Sequence, residues 1–225
     1  KFKGEEVCIG IICDGMGGLS CGELASKSIA EAFSEWFLYS YSKYESIWDE
    51  SKMREDIRSI ISSENEGLIR YGKEHGIYLG TTITAFLLAG KRFFVWHVGD
   101  SRLYKISSSK IERLTNDHTV IAKEVAEGRL TEKEAKNDPK RNVLLQCIGA
   151  TEQVNPDMFC GEVKKGDILL LCSDGFRHEI SEKEMLSLLG RCESNKLNEM
   201  IKRLISLNLR RNEQDNISAA LVKVQ

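Results

Sequence analysis

The chain has 225 residues, of which 41% are apolar and 29% charged, and its formal net charge at neutral pH is −2. This length can bury one sizeable core, and the composition is that of a soluble globular protein, so we expect a single domain over residues 1–225. The small net charge gives no reason to expect a nucleic acid or an anionic membrane as partner, and no apolar stretch is long enough to span a bilayer.

The first part of the chain predicts a strand followed by two helices. An apolar run of strand length ends at Asp14 and is followed by glycines. Ser20 and Glu23 have the spacing of a capping box, which predicts that a helix begins there. Apolar residues at helical spacing predict a second helix from about Ser51, and Gly76 is its expected stop.

Three closely spaced strands are predicted next, and we expect them to pair as antiparallel hairpins. The links between them, Gly90-Lys91 and Gly99-Asp100-Ser101, are short and contain glycine. A turn at 107–109 then leads to a fourth strand at 110–114. The three strands are Thr81–Ala89, Arg92–Val98 and Arg102–Ile106.

The segment 116–142 differs from its surroundings because it is polar and highly charged. It carries a second capping box at Thr131 and Glu134, and we interpret it as a helical flap over the edge of a sheet. Helices that interleave with antiparallel strands predict an α+β fold with layered sheets. The remaining predicted elements are strands at 158–163 and 167–172, a helix after Ser181, a helix at 196–209 and a last strand after Asp215.

Four carboxylates lie where a predicted strand meets a turn or loop. Taken singly, each one fits an ordinary turn residue. Taken together, and with no His or Cys cluster in the sequence, they predict oxygen ligation that suits Mg²⁺ or Mn²⁺ better than Zn²⁺. Two such ions can activate a water and neutralise a phosphoryl group, so the residues alone indicate a metal-dependent hydrolase. The four are Asp14, Asp100, Asp174 and Asp215.

Six short motifs follow one another along nearly the whole chain. They are Asp14-Gly15-Met16-Gly17-Gly18, Gly80-Thr81-Thr82, Val98-Gly99-Asp100-Ser101-Arg102, Leu114-Thr115-Asn116-Asp117-His118, Cys172-Ser173-Asp174-Gly175 and Asp215-Asn216. In this order and spacing the chain resembles the protein phosphatase 2C-like family of metal-dependent Ser/Thr phosphatases. The methionine at the third position of the first motif resembles the form of this motif in the bacterial branch of the family.

The resemblance implies a four-layer α-β-β-α sandwich of two antiparallel sheets with a metal centre at one end. Asp14 would bridge two Mg²⁺ or Mn²⁺ ions, the carbonyl of Gly15 would bind the second ion, and Asp174 and Asp215 would hold the first. Asp100 and Asp174 would offer a weaker third site. A water between the two ions would attack phosphoserine or phosphothreonine, so Asp14 and Asp174 are the predicted catalytic residues. The flap beside the cleft would help to choose substrates.

The chain departs from the family pattern at its start. The family's first strand carries an Arg that binds the substrate phosphate and an acidic pair that binds metal. That strand would precede Lys1, and we expect the native chain to contain it. Met16 stands where other branches place a His that serves as a general acid. If the strand were truly lacking, the alternative is a catalytically silent phosphatase-like domain with a binding or regulatory role.

Several other side chains are better explained by structure than by catalysis. We expect Arg102 to pair with an acid at the edge of a sheet, and His97 to be a hydrogen-bonded core residue. His118 could donate a proton, but a structural role in a turn is the more common one. Cys13 and Cys172 are expected to be inert buried thiols.

The expected partners are phosphoproteins that a Ser/Thr kinase has modified, which places the protein in signalling. Seven cysteines without a C-x-x-C pair favour free thiols in a reducing compartment, so we expect a cytoplasmic protein. We also expect a monomer.

Overall fold

The computed structural model describes residues 2, 4–16, 19–135 and 138–225, without the side chains of Leu19 and Ser20. Gly17 and Gly18 lie outside the described residues, and so does the side chain of Ser20, which would form the predicted helix cap. The strands are β1 Val7–Ile12, β2 Gly15–Met16, β3 Gly80–Thr81, β4 Ile83–Ala89, β5 Arg92–Val98, β6 Arg102–Ile106, β7 Ile111–Arg113, β8 Asp157–Glu162, β9 Ile168–Cys172 and β10 Ala219–Lys223. The α-helices are α1 Leu19–Glu35, α2 Glu50–His75, α3 Val120–Ala126, α4 Glu132–Ala135, α5 Asp174–Arg177, α6 Glu182–Leu189 and α7 Leu197–Arg210.

Two four-stranded antiparallel sheets form the centre of the molecule. The first has the strand order β1-β4-β5-β8 and the second has the order β10-β9-β6-β7. The short strands β2 and β3 form a separate ladder that the sequence pattern did not predict. The predicted pair of antiparallel sheets is confirmed.

Three hydrophobic clusters hold the layers together. On β4, Phe86 packs into the cluster between the two sheets, whereas its neighbour Leu87 packs into the cluster beneath α1 and α2. Successive side chains of a strand point to opposite faces, so a strand between two layers is apolar at every position. A third cluster joins the outer face of the second sheet to α6 and α7 through Leu170, Met185 and Leu204. The layers therefore follow the order α-β-β-α, as expected.

The predicted hairpin at Gly99-Asp100-Ser101 is wrong. β5 is hydrogen-bonded to β4 on one side and to β8 on the other, so it offers no free edge to β6. β6 instead pairs with β7 and β9 in the second sheet. Gly99 has φ +109°, and a Cβ there would lie 2.4 Å from Thr82 Cγ2. Only glycine fits this tight link, which carries the chain from one sheet to the other and places Asp100 at their common end.

The other predicted boundaries agree with the structure to within a few residues. Gly76 ends α2 with φ +65°, and Ser181 and Glu184 form the predicted capping box. The last strand, predicted to follow Asp215, begins only at Ala219, and the Asn216 carbonyl instead accepts a hydrogen bond from the Ser173 hydroxyl. No helix in the described ranges is both long enough and apolar enough to cross a membrane.

Candidate metal centre

Asp14 lies between β1 and β2, and the neighbouring strand fixes its backbone. Its carbonyl accepts hydrogen bonds from the Thr82 amide at 2.9 Å and from the Thr81 hydroxyl at 3.0 Å. Its own amide donates to the Thr82 hydroxyl oxygen at 3.1 Å. These two threonines, which belong to one of the six motifs but were assigned no role in the site from the sequence, hold the Asp14 backbone in place.

Gly15 is required because the backbone of α1 passes directly over it. A Cβ built on Gly15 would lie 2.0 Å from the carbonyl oxygen of Gly22, and one built on Gly22 would lie 2.7 Å from that of Gly15. Real Cβ atoms do not approach a backbone oxygen so closely, so both positions must be glycine. This contact fixes the segment that carries Asp14 against the first helix.

Asp174 and Asp215 are brought together by the residue between β9 and α5. The hydroxyl of Ser173 donates to the Asn216 carbonyl at 3.1 Å and accepts from the Ser218 amide at 3.1 Å. This pair of bonds fastens the end of β9 to the loop that contains Asp215. Asp174 is buried with 8% of its surface exposed, whereas Asp215 is exposed.

His178 joins these two acids, although it was not predicted from the sequence. One ligand atom from each of Asp174, His178 and Asp215 lies within 4.8 Å of the other two. His178 follows Asp174 by four residues in a helical turn, a spacing that puts two side chains on one face. That spacing is the signal that could have identified it.

Asp100 is buried beside the guanidinium group of Arg177, a neighbour that was likewise not predicted from the sequence. The Arg177 guanidinium lies 3.7 Å from the Asp100 carboxylate and donates to the Asp100 carbonyl at 3.0 Å. Arg177 is also 3.5 Å from Asp117, which Arg102 binds through two hydrogen bonds of 2.7 and 2.6 Å. The predicted pairing of Arg102 with an acid is confirmed, and the acid is Asp117.

The electrostatics of the cluster fit a bound cation. Burial raises the pKa of Asp14 to about 7, and the nearby carboxylates of Asp174, Asp100 and Asp215 contribute in the same direction. Burial likewise raises the pKa of Asp100 to about 6, against the lowering effect of Arg177. Four carboxylates therefore share a site in which their charges repel, and a divalent ion bound by oxygen ligands would relieve that repulsion.

We expect the raised pKa of Asp14 to make the metal-free protein less stable as the pH rises. The folded state binds this proton more tightly than the unfolded chain, in which the pKa is about 3.8. Its stabilising effect is complete below pH 4 and is lost as the pH rises towards 7. Between pH 4.5 and 7.5, the melting temperature of the EDTA-treated protein should therefore fall relative to that of Asp14→Asn.

The comparison with Asp14→Asn isolates this group, since all other titrating groups are common to both proteins. At pH 7.5, added Mn²⁺ should raise the melting temperature of the wild type, because only this protein keeps the carboxylate that binds the ion. The difference in melting temperature between the two proteins should then disappear. A melting-temperature difference that stays constant over the whole pH range would contradict the assignment.

The two other histidines near this end are structural. His97 is fully buried between the Thr84 hydroxyl and the Asn116 carbonyl, each at 2.9 Å, and burial lowers its pKa to about 4. The prediction of a hydrogen-bonded core histidine is confirmed. His118 Nδ1 accepts from the Gly99 amide at 3.2 Å and from Gln146 at 2.8 Å, which leaves Nε2 to donate towards Asp157. His118 therefore supports the link between the sheets.

The thiols next to the acids are unreactive. Burial raises the pKa of Cys13 and of Cys172 to about 12. A thiol with such a pKa has almost no thiolate at neutral pH and is neither a nucleophile nor a metal ligand. The predicted burial is confirmed for Cys172, whereas Cys13 is only partly buried.

A four-layer sandwich with carboxylates converging at one end defines a candidate metal-dependent hydrolase. The model of the family described as Protein phosphatase 2C matches residues 1–224, and the chain belongs to this family. The resemblance deduced from the six motifs is confirmed.

Individual relatives and solved structures are similar to this chain over nearly its whole length. The chain is 29% identical over 217 residues to the serine/threonine phosphatase stp of Listeria monocytogenes, covering 95% of this chain and 83% of the relative. The serine/threonine phosphatase of S. agalactiae superposes with a TM-score of 0.88 at 30% identity, covering 100% and 90% of the two chains. The catalytic domain of PstP, solved with two manganese ions, gives 0.79 at 28% identity, covering 98% and 91%. The prediction of a metal-dependent Ser/Thr phosphatase is confirmed, and a silent binding domain is not favoured.

Proposed function

We propose that this chain hydrolyses phosphoserine and phosphothreonine in proteins at a centre that binds Mg²⁺ or Mn²⁺. The residues that would hold the ions are the carboxylates of Asp14, Asp174 and Asp215 and the carbonyl of Gly15, and Asp100 would contribute with Asp174 to a weaker site. The observation that carries the proposal is the convergence of the four acids. Ligand atoms of Asp174 and Asp215 lie within 4.8 Å of each other, and the charges of Asp174, Asp100 and Asp215 act on the buried carboxylate of Asp14. A cluster of carboxylates from four separate parts of the chain suits a divalent ion that prefers oxygen ligands.

When bound, the ions supply Lewis-acid activation of the attacking water and neutralise charge on the phosphoryl group. The protein supplies rigid positions for them, since the Asp14 backbone is held by three hydrogen bonds and the loop of Asp215 is fastened to Ser173. Such fixed placement lowers the reorganisation needed in the transition state. Asp14 and Asp174 are thus the residues on which activity depends most.

The side chains around the acids support direct attack by water without a covalent enzyme intermediate. The hydroxyls of Thr82 and Ser173 are both engaged in hydrogen bonds to backbone groups of the site. Cys13 and Cys172 are thiols with pKa values of about 12. In the part of the chain that the structure describes, the hydroxyls and thiols nearest to the acids are therefore not activated nucleophiles.

We assign substrate selection to the flap, residues 116–142. Its base is anchored beside the centre, because the His118 amide donates to the Gly99 carbonyl at 2.7 Å and the Leu145 amide to the His118 carbonyl at 2.7 Å. Beyond this anchor α3 and α4 carry exposed charged side chains. A charged segment next to a reaction centre can distinguish peptides by their flanking residues.

The biological setting follows from the same proposal. The substrates are phosphoproteins made by a Ser/Thr kinase, and the protein acts in cytoplasmic signalling as a monomer. The cysteines support this setting, since the structure records no disulfide among the seven that it describes, as is typical of a reducing compartment.

Phosphate release from synthetic peptides tests the proposal. With Mn²⁺ or Mg²⁺ present, phosphothreonine and phosphoserine peptides should be hydrolysed, and the same sequence carrying phosphotyrosine should react far more slowly. Removing the ions with EDTA should abolish turnover, and added Mn²⁺ should restore it. If the protein binds Mn²⁺ but releases no phosphate from any of these peptides, a binding role replaces the enzymatic one.

A further inference from the structure

His178 is placed between two carboxylates in a way that leaves one ring nitrogen for a cation. Its Nε2 lies 3.5 Å from Asp174 Oδ2, and its Nδ1 lies 3.4 Å from Glu213 Oε2. Only 6% of the Glu213 side chain is exposed, so its carboxylate is enclosed beside the ring. If the proton of a neutral ring is on Nδ1, it faces Glu213, and the lone pair of Nε2 is then on the side of Asp174.

Glu213 also fixes the predicted metal ligand next to it. Its other carboxylate oxygen accepts hydrogen bonds from the amides of Gln214 and Asp215, both at 2.9 Å. One side chain therefore orients both the imidazole of His178 and the backbone of Asp215. Metal-binding histidines are commonly held in this way, by a carboxylate on the ring nitrogen that does not bind the ion.

We propose that His178 Nε2 is a ligand of the ion held by Asp174 and Asp215, so that this site combines oxygen ligands with one nitrogen. One candidate ligand atom from each of the three side chains lies within 4.8 Å of the other two, so a small movement would bring all three to a single ion. The inference rests on the proposed function, because it assigns a further ligand to the same centre.

A nitrogen ligand changes which ions the site prefers. Imidazole binds transition metals such as Zn²⁺ and Co²⁺ well, whereas Mg²⁺ prefers oxygen ligands and keeps its waters. His178 should therefore strengthen the binding of Zn²⁺ and Co²⁺ much more than that of Mg²⁺.

The alternative role for His178 is that of an ion-pair partner, in which a protonated ring bridges the carboxylates of Asp174 and Glu213. The response of the ring nitrogens to added metal separates this role from that of a ligand.

The ring nitrogens can be observed directly, because the protein contains only four histidines. NMR spectra of the protein with ¹⁵N-labelled histidine should show one imidazole whose Nε2 signal moves to the position of a metal-bound nitrogen when Zn²⁺ is added. Its Nδ1 should stay protonated, and Mg²⁺ should cause no such shift. The signal should be absent in His178→Ala and present in His75→Ala, which removes an exposed histidine on α2.

Calorimetric titration gives the second readout. Glu213→Gln keeps an oxygen for the two amides but removes the charge beside the ring, and the affinity for Co²⁺ should fall about 10-fold, at the lower end of the 10- to 100-fold loss typical for such a partner. In His178→Ala, which removes the ligand itself, the affinity for Co²⁺ should fall further, by about 100-fold, while the affinity for Mg²⁺ changes by less than about threefold.

The outcomes separate the inference from the proposed function. If Zn²⁺ binds and Asp174→Asn abolishes that binding, but no histidine signal shifts, His178 is only an ion-pair partner and the inference is wrong. Equal losses for Mg²⁺ and Co²⁺ in His178→Ala would also overturn it, since they indicate a general structural effect. If the wild type binds no divalent ion at all, the proposed function itself fails.

Discussion

Asp174→Asn is expected to lower phosphate release about a thousandfold or more while leaving the protein folded. The amide has the same shape and can still accept the hydrogen bond that Asp174 Oδ1 receives from the Gly175 amide at 2.6 Å. It lacks the charge that binds the ion, and ions at such centres contribute several kcal/mol of transition-state stabilisation. A loss of about 4 kcal/mol corresponds to about a thousandfold in rate.

Asp167 provides a matched control for this substitution. It lies just before the same strand, β9, at the opposite end from the centre, where its carboxylate accepts from the Lys164 amide at 2.9 Å. Asp167→Asn should retain nearly full activity. Rates with a phosphothreonine peptide, circular dichroism and Mn²⁺ titration should be compared for both variants. A folded Asp174→Asn protein with near-normal turnover would show that the chemistry does not depend on this carboxylate.

Gly15→Ala is expected to damage the centre without touching any charge. The added Cβ would lie 2.0 Å from the Gly22 carbonyl oxygen in α1, so the strand and the helix must move apart. Forcing a methyl group into a packed contact typically costs about 1–3 kcal/mol of stability. The movement also displaces Asp14, the neighbouring residue, so we expect Mn²⁺ affinity and activity to fall much more than stability does.

Two other glycines test whether the close contact is the cause. Gly22→Ala places a Cβ 2.7 Å from the Gly15 carbonyl oxygen, so it crowds the same contact from the helix side and should show the same pattern. Gly67 lies within α2, and a Cβ added there would have no neighbouring atom within 4 Å. Gly67→Ala should raise stability by about 0.5–1 kcal/mol through helix propensity alone and leave Mn²⁺ affinity unchanged. Normal Mn²⁺ affinity in Gly15→Ala would contradict the role given to this contact.

Much of the fold could be predicted because its signals are local. Strands β5 and β6 begin and end where the apolar runs predicted, since a run of alternating or continuous apolar residues between turns is typical of a buried strand. The capping box at Ser181 marked the start of α6 for a similarly local reason.

The connection between β5 and β6 shows where local signals fail. A glycine-containing link of three residues is equally compatible with a hairpin and with a step between two sheets. The choice depends on β8, which lies more than fifty residues later in the chain and occupies the free edge of β5. No property of the link itself contains that information.

The four carboxylates could be proposed as metal ligands without coordinates. Each stands at the end of a strongly apolar strand or opens the last one, and the motifs around them are those of the family. Their surroundings could be known only from the folded chain, which places Arg177 beside Asp100 and Glu213 beside His178. Burial and Coulomb forces act over a few ångströms in space, irrespective of separation along the chain, so no local pattern of residues records them.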